Sequence, residues 1–520
     1  MFSCIRSASV YGVDGREIAV EVDISSGLPQ LTIVGLPDPA IRESVERVRA
    51  AIKNSGFTFP MDRITVNLAP ADLRKEGTAF DLAIASGILA ASGQIAGSQL
   101  KDVLIIGELS LDGTVKPVPG VLAMIEQAKH CGLTNIVLPA ANAHEASWIS
   151  GMKLFGIHHL KQLLALRFEA IESLDSLAQP ADCHEANTME DYAEIIGQQL
   201  ALRAMLIAAA GKHNMLLCGS PGTGKTMMIR RLPTILPSLT EEEALEVTKI
   251  YSVSGKLPQK ISGLMSAPPF RAPHHTISAA GLIGGGSIPK PGEVTLAHHG
   301  VLFLDELAEF PRSVLEMLRQ PLEDRQVTIA RSRATIQFPA SFILAASYNP
   351  CPCGFRNQEY GSKLCTCSPA AIARYLSRLS GPLLDRFDLQ LEISRPASLR
   401  EEAASADSTA KQYGNNSADM KRLVKQAREL AWQRNSIYGV RYNSQLAGAA
   451  LKKAANMNIS AARLLDYAFQ KLSISMRAYD RLLRLARTIA DIEQMETVTA
   501  EHIAEAIQYR KLEEKTTDNR

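Results

Sequence analysis

The stretch HNMLLCGSPGTGKTMMIRRL, residues 213 to 232, limits what this chain can fold into more than any other. An apolar run leads into Gly219, Ser220, Pro221, Gly222, Thr223, Gly224, Lys225 and Thr226, and a helical pattern follows. Strand, glycine-rich turn and helix in that order form the context of a phosphate-binding loop. Glycines let the backbone N–H groups wrap phosphate oxygens. Lys225 is then expected to reach the outer phosphates and the Thr226 hydroxyl to ligate Mg²⁺, making ATP and Mg²⁺ the expected cofactors.

A phosphate loop needs a second, acidic strand to hold the metal. GVLFLDEL supplies it, four apolar residues followed by Asp305 and Glu306. Asp305 is expected to support the Mg²⁺ shell and Glu306 to polarise the attacking water. A third apolar run, ASFILAASYNP, ends at Asn349, a polar residue suited to positioning water near the γ-phosphate. Taken alone, Asn349 also reads as a turn-former before Pro350. In SGPLLDRFDLQLEI, Arg386 stands between two aspartates just before a strand, either as an arginine offered to a neighbouring subunit's nucleotide or as a salt bridge with Asp385 or Asp388. Further on, SISMRAYDRLLRLARTIAD spaces Arg477, Arg481, Arg484 and Arg487 along one helical face. Most of that face reads as solvated charge, with Arg477 singled out as a functional residue.

The 520-residue chain reads as several domains, and strand-like and helix-like segments alternate through most of it. Residues 1–168 form a first α/β domain, with strands in EIAVEVDIS, RITVNLAP, DVLIIGELSL and TNIVLP and a helix in AIRESVERVRAAIKNSG. An acidic, Pro-interrupted linker spans 169–189, and a second α/β domain spans 190–396. Residues 397–510 are helical in pattern, and 511–520 form a polar tail. The net charge of +2 means that any nucleic-acid contact must come from locally concentrated basic residues. No apolar run is long enough to span a bilayer, and MFSCIRSASVYG lacks the layout of a signal peptide, so a cytoplasmic location and no membrane partner are expected.

Of the eight cysteines, Cys351, Cys353, Cys365 and Cys367 cluster as two C-x-C pairs. In a reducing compartment such a cluster suggests metal before disulfide. Four thiolates close a tetrahedral zinc site with no open position, so the zinc would be structural; four free reduced cysteines is the other reading.

Together, Gly219 to Thr226, Asp305–Glu306, Asn349, Arg386 and Arg477 resemble the Walker A, Walker B, sensor 1, arginine finger and sensor 2 of an AAA+ ATPase. PFRAPHHTISAAGLIGGGSIPKPGEVTLAHHGVLFLDEL and YNPCPCG are similar to the magnesium-chelatase-like branch and, within it, to the ComM (YifB-like) family over almost the whole chain. The resemblance implies an AAA+ P-loop α/β core and a C-terminal α-helical lid. His299 stands where an Asn is expected, and Ser347–Tyr348 replaces a small–Met pair; neither position is expected to touch a catalytic role. The N-terminal domain resembles the Lon-protease domain, of the ribosomal protein S5 domain 2-like fold. A Lon-type dyad needs a Ser and a Lys. This chain offers Thr78 or Ala79 and Leu122 at those places, so no peptidase activity is expected.

The same resemblance implies a ring-forming homohexameric motor driving DNA branch migration during recombination and natural transformation, with DNA and recombination proteins as the expected partners. The alternative is a magnesium-chelatase-type motor acting on a protein partner. RQVTIARSRATIQFP reads as two strands flanking a tip that carries Arg331 and Arg333, a hairpin which in this branch projects into the pore. Arginines there suit phosphate contacts. The glycine-rich insertion GLIGGGSIPKPGE, with Lys290, is a second candidate DNA contact. The Lon-like domain is expected to weigh against chelatase work.

Overall fold

A computed structural model describes residues 1–165, 190–195, 197–258, 261–286, 289–331, 334–356, 364–394, 416–471 and 475–510. The proposed linker 169–189 and the tail 511–520 lie outside the described residues. The chain divides into two compact units, Met1–His184 with Glu241–Met265, and Glu185–Thr240 with Ser266–Arg520.

The first unit is built on a seven-stranded mixed sheet. Its strands run, in spatial order, Gln30–Val34, Arg63–Ala69, Asp14–Ser25, Phe2–Tyr11, Val103–Ile105, Asn135–Pro139 and Lys153–Ile157. The helix Pro39–Asn54 starts where Asp38 accepts a hydrogen bond from the Ile41 N–H at 2.8 Å. It buries Ile41, Ser44, Val48, Ala51 and Ile52, spaced at three and four residues along one face. The helix Asp81–Ala91 is apolar nearly all round and buried at every position but Ala90, as an internal helix must be. The expected strand DVLIIGELSL is divided, Val103–Ile105 lying in the main sheet and Glu108–Leu109 in a small hairpin.

The helix Glu241–Val253, which follows the phosphate loop in sequence, belongs to this first unit. Lys249, nearly buried, reaches Glu126 at 2.5 Å and Asp14 at 3.2 Å, and Ser252 donates to Glu145.

The second unit holds a five-stranded parallel sheet in the spatial order Phe270–Arg271, Val301–Leu304, Ile343–Tyr348, Met215–Gly219, Leu389–Ile393. The middle strands are buried along almost their whole length, which is why they read as unbroken apolar runs. Helices Gln199–Gly211, Ser417–Asn435, Met476–Ile492 and Ala500–Gln508 pack into the same hydrophobic core as the sheet. No described helix is long and apolar enough to cross a membrane.

Candidate functional site

In a parallel sheet, the carboxyl ends of neighbouring strands open onto one crevice. Here three adjacent strands deliver Gly219, Asp305 and Asn349 to that edge. Pro221 to Met227, Asp305, Glu306 and Ser347 to Asn349 line a cavity of about 300 Å³ there.

The loop can take its shape because Gly222 and Gly224 adopt left-handed φ angles of 78° and 84°, and a side chain at Gly219 would run 2.4 Å from the Ile393 carbonyl oxygen. Lys225 opens the following helix and is buried. Its ammonium donates to the carbonyls of Gly219 at 2.6 Å and Ser220 at 2.9 Å, and to Asn349 Oδ1 at 3.3 Å. Burial pulls its pKa down, opposed by the nearby charges of Cys218, Asp305 and Glu306. A buried cation held only by neutral oxygens has room for an anionic partner, and a nucleotide phosphate meets that need. Thr226 Oγ1 donates to Asp305 Oδ2 at 2.9 Å, placing a hydroxyl and a carboxylate side by side, the hard oxygen donors Mg²⁺ prefers. The residues present therefore fit a magnesium nucleotide.

Glu306 follows with φ of 53° and a half-exposed side chain. His275 Nδ1 lies 3.6 Å from its carboxylate, with the His275 ring edge-on to Phe310. His275 lies inside a motif quoted above, but nothing in its spacing singled it out. Ser347 corrects an expectation, because its hydroxyl donates to the Asp305 carboxylate and it lines the cavity together with Tyr348. The departure at 347–348 thus touches the site directly. At the other departure, His299 takes φ of 57°, a conformation in which Asn is the more usual residue.

Arg386 and Arg477 are not among the lining residues. Arg386 is nearly buried and paired with Glu323, rather than with Asp385 or Asp388, and donates to the Pro382 carbonyl at 2.5 Å. Arg477 is exposed in the first turn of the helix Met476–Ile492. Its three companions do not form the solvated face their spacing suggested. Arg481 is buried against Asp388 at 3.5 Å, Arg484 donates to the Leu446 carbonyl at 2.7 Å, and Arg487 is buried against Asp491 at 2.9 Å.

The strands Gln326–Arg331 and Ala334–Pro339 pair antiparallel from Gln326↔Pro339 to Arg331↔Ala334. The Arg331 side chain and all of Arg333 lie outside the described residues. A second small hairpin pairs Gly284–Gly285 with Lys290–Pro291, and Lys290 is exposed. The two hairpins meet, a Cβ at Gly284 falling 3.1 Å from Ile329 Cδ1. The sulfurs of Cys351, Cys353, Cys365 and Cys367 all lie within 4.8 Å of one another.

In the first unit, Thr78 donates to the Glu108 carboxylate and Leu122 is fully buried. Lys75, three residues before Thr78, is buried and donates to the Pro70 carbonyl.

Fold and site define a P-loop nucleotide-binding domain on a parallel sheet. The family profile "Magnesium chelatase, subunit ChlI" matches residues 191–401. "Subunit ChlI of Mg-chelatase" matches 20–142, and "Magnesium chelatase, subunit ChlI C-terminal" matches 414–510. Among curated relatives, the uncharacterized protein YifB of Salmonella typhimurium is 42% identical over 98% of this chain and 97% of its own. The competence protein ComM of Haemophilus influenzae is 41% identical over 98% and 97%. A magnesium-chelatase 38 kDa subunit of Rhodobacter capsulatus is 25% identical over 39% of this chain and 56% of its own. The chain belongs to the YifB/ComM family of magnesium-chelatase-like AAA+ proteins. The N-terminal match carries a chelatase-subunit description, while the Rhodobacter capsulatus chelatase subunit matches only 39% of this chain.

Proposed function

We propose that this protein is an ATP-driven DNA translocase, a cytoplasmic homohexamer that promotes branch migration during recombination and natural transformation. The observation that carries the ATPase part is buried Lys225 beside Thr226, Asp305, Glu306 and Asn349 on three adjacent strand ends. In this reading Lys225 and the Gly219–Thr226 backbone bind the phosphates. Thr226 and Asp305, steadied by Ser347, hold Mg²⁺, which when bound draws charge from the phosphate oxygens. Glu306 orients and polarises the attacking water, and Asn349 positions it. Arg386 serves a neighbour's nucleotide and Arg477 senses bound phosphate.

The DNA part rests on the printed name of the competence relative and on the meeting of the two hairpins. Arg331, Arg333 and Lys290 are assigned phosphate contacts, with single-stranded and branched DNA as substrates and recombination proteins as partners. The working domains are 1–168, Lon-protease-like and catalytically inactive; 190–396, the ATPase core; and 397–510, the helical lid. The four clustered thiolates hold a structural Zn²⁺. The second reading, a chelatase-type motor acting on a protein, is favoured by the chelatase descriptions of all three profiles.

ATP hydrolysis measured with and without branched DNA, beside a strand-exchange assay, tests the proposal. Hydrolysis stimulated by DNA together with branch migration is expected. Hydrolysis that DNA leaves unchanged, with no branch migration, favours the protein-directed motor. Arg331→Ala with Arg333→Ala should spare basal hydrolysis and remove DNA stimulation. Casein should survive incubation with the protein and ATP.

A further inference from the structure

The four clustered cysteines stand at a junction of the nucleotide site. Cys351, fully buried, is two residues beyond Asn349, whose side chain meets Lys225. The Gly354 N–H closes a tight turn onto the Cys351 carbonyl at 2.9 Å. Gly354 adopts φ of 83°, and a Cβ there would stand 2.5 Å from Pro221 Cδ. The turn bearing two thiols therefore rests directly on the phosphate loop, with no space for a side chain between them. On the other side, Cys367 precedes Ser368, which caps the helix Pro369–Leu376. Tyr375 of that helix meets the Asn349 backbone. Arg378, just beyond it, donates to the Ala308 carbonyl and Glu309 carboxylate, both at 2.9 Å, in the turn that follows Glu306.

The sulfur geometry is that of a metal cage. A tetrahedral Zn–S₄ centre with bonds of about 2.3 Å has S···S edges of roughly 3.8 Å. The sulfurs lie 3.3 Å apart for Cys351 and Cys353, 3.7 Å for Cys351 and Cys365, and 3.6 Å for Cys353 and Cys365. These separations are far beyond the ~2.05 Å of a disulfide, and the structure holds all four as free cysteines.

We propose that one zinc ion, held by Cys351, Cys353, Cys365 and Cys367, sets the shape of the nucleotide site by fixing Asn349, the phosphate loop at Pro221 and the turn after Glu306 relative to one another. The proposal rests on the ATPase reading above and adds to it that the metal controls nucleotide affinity without touching nucleotide. A closed four-thiolate centre exchanges no ligand with substrate, so its influence passes through the Cys351–Gly354 turn and the Ser368-capped helix.

The test uses the full chain. Elemental analysis should find one zinc per chain, both in the wild type and in Lys225→Ala, and cobalt alone added to metal-stripped protein should give the visible bands of tetrahedral thiolate cobalt. Stripping the metal should weaken binding of a fluorescent ATP analogue by about tenfold or more, and zinc should restore it. Cys365→Ser with Cys367→Ser should lose both zinc and affinity. Gly354→Ala keeps every thiol, so it should keep its zinc while ATP affinity falls about tenfold from the clash with Pro221. Absence of stoichiometric zinc and of the cobalt bands would overturn the metal site. Unchanged ATP affinity after stripping, with circular dichroism showing the chain still folded, would overturn the coupling. Failure of zinc-loaded wild type to bind ATP would overturn the ATPase reading and the coupling with it, while the zinc count would stand by itself.

Discussion

Both units bury aspartates, and Asp81 in the first and Asp388 in the second are driven in opposite directions. Asp81, at the start of the helix Asp81–Ala91, is paired with Arg47 through Nε at 2.9 Å and Nη2 at 3.2 Å and accepts from the Leu109 N–H at 3.3 Å. Burial dominates there and lifts its pKa to about 6 in spite of Arg47. Asp388, in the ATPase unit, is also desolvated. It meets His213 Nδ1 at 3.1 Å and Arg481 at 3.5 Å, and these groups with Arg484 bring its pKa down to about 2. Burial alone therefore does not set the charge state; the number of cationic partners decides it. The placement differs too. His213 Nε2 lies 2.8 Å from Thr488 Oγ1, so through His213 Asp388 ties the base of the nucleotide-site sheet to the helix Met476–Ile492. Asp81 joins the helices Pro39–Asn54 and Asp81–Ala91 and the strand Glu108–Leu109, all within the first unit.

Lys225→Ala should break the comparison most sharply, lowering ATP hydrolysis by about 10³-fold or more while leaving hydrogen exchange in the helix Asp81–Ala91 unchanged. Asp388→Asn should destabilise the second unit by about 3 kcal/mol in denaturant titration, because it leaves buried Arg481 short of its counter-charge. Asp81→Asn should cost only about 1 kcal/mol, since the carboxylate it replaces is already penalised by burial. An equal cost at the two sites would refute the partner-count argument.

The pH dependence should differ in sign. Asp388 has a folded pKa of about 2 against an ordinary 3.8, so its contribution is present above about pH 4 and lost as pH falls towards 2. Asp81 has a folded pKa of about 6 against 3.8, so its contribution is present below about pH 4 and lost as pH rises through 6. Hydrogen exchange read peptide by peptide across pH 4 to 7 should show protection of the helix Asp81–Ala91 declining, and Asp81→Asn should flatten that decline. The smallest effect is expected at Arg477. Arg477→Ala should leave the unfolding midpoint in place while lowering ATP turnover, whereas Arg487→Ala should lower the midpoint through loss of the Asp491 pair.

The legible part of the molecule is the part written in local pattern. Met215–Gly219, Val301–Leu304 and Ile343–Tyr348 stand out because strands covered on both faces must be apolar throughout. The first strand, Phe2–Tyr11, does not stand out in the sequence. Its inward positions include serines, acceptable only because Ser3 and Ser7 donate to the Gly87 and Ile105 carbonyls at 2.7 and 2.8 Å. The arginine row on Met476–Ile492 hides its partners for a related reason. Spacing shows that four cations share a face, but not that Asp388, Leu446 and Asp491 wait to receive three of them. Ser347 and His275 gave no usable signal, since each matters only through a partner brought from another strand or turn.

From the sequence alone came the phosphate loop, the acidic strand end, Asn349 and the cysteine pairs, because each depends on residue types at short spacing. Tertiary structure decided that Lys225 is buried with no carboxylate held against it and that Arg386 is engaged by Glu323. It also decided that the segment Glu241–Met265 joins the first unit and that the Cys351–Gly354 turn rests on Pro221. These are contacts between segments tens to hundreds of residues apart. The free energy that selects such contacts comes from burial and pairing in the folded chain, and no local spacing encodes it.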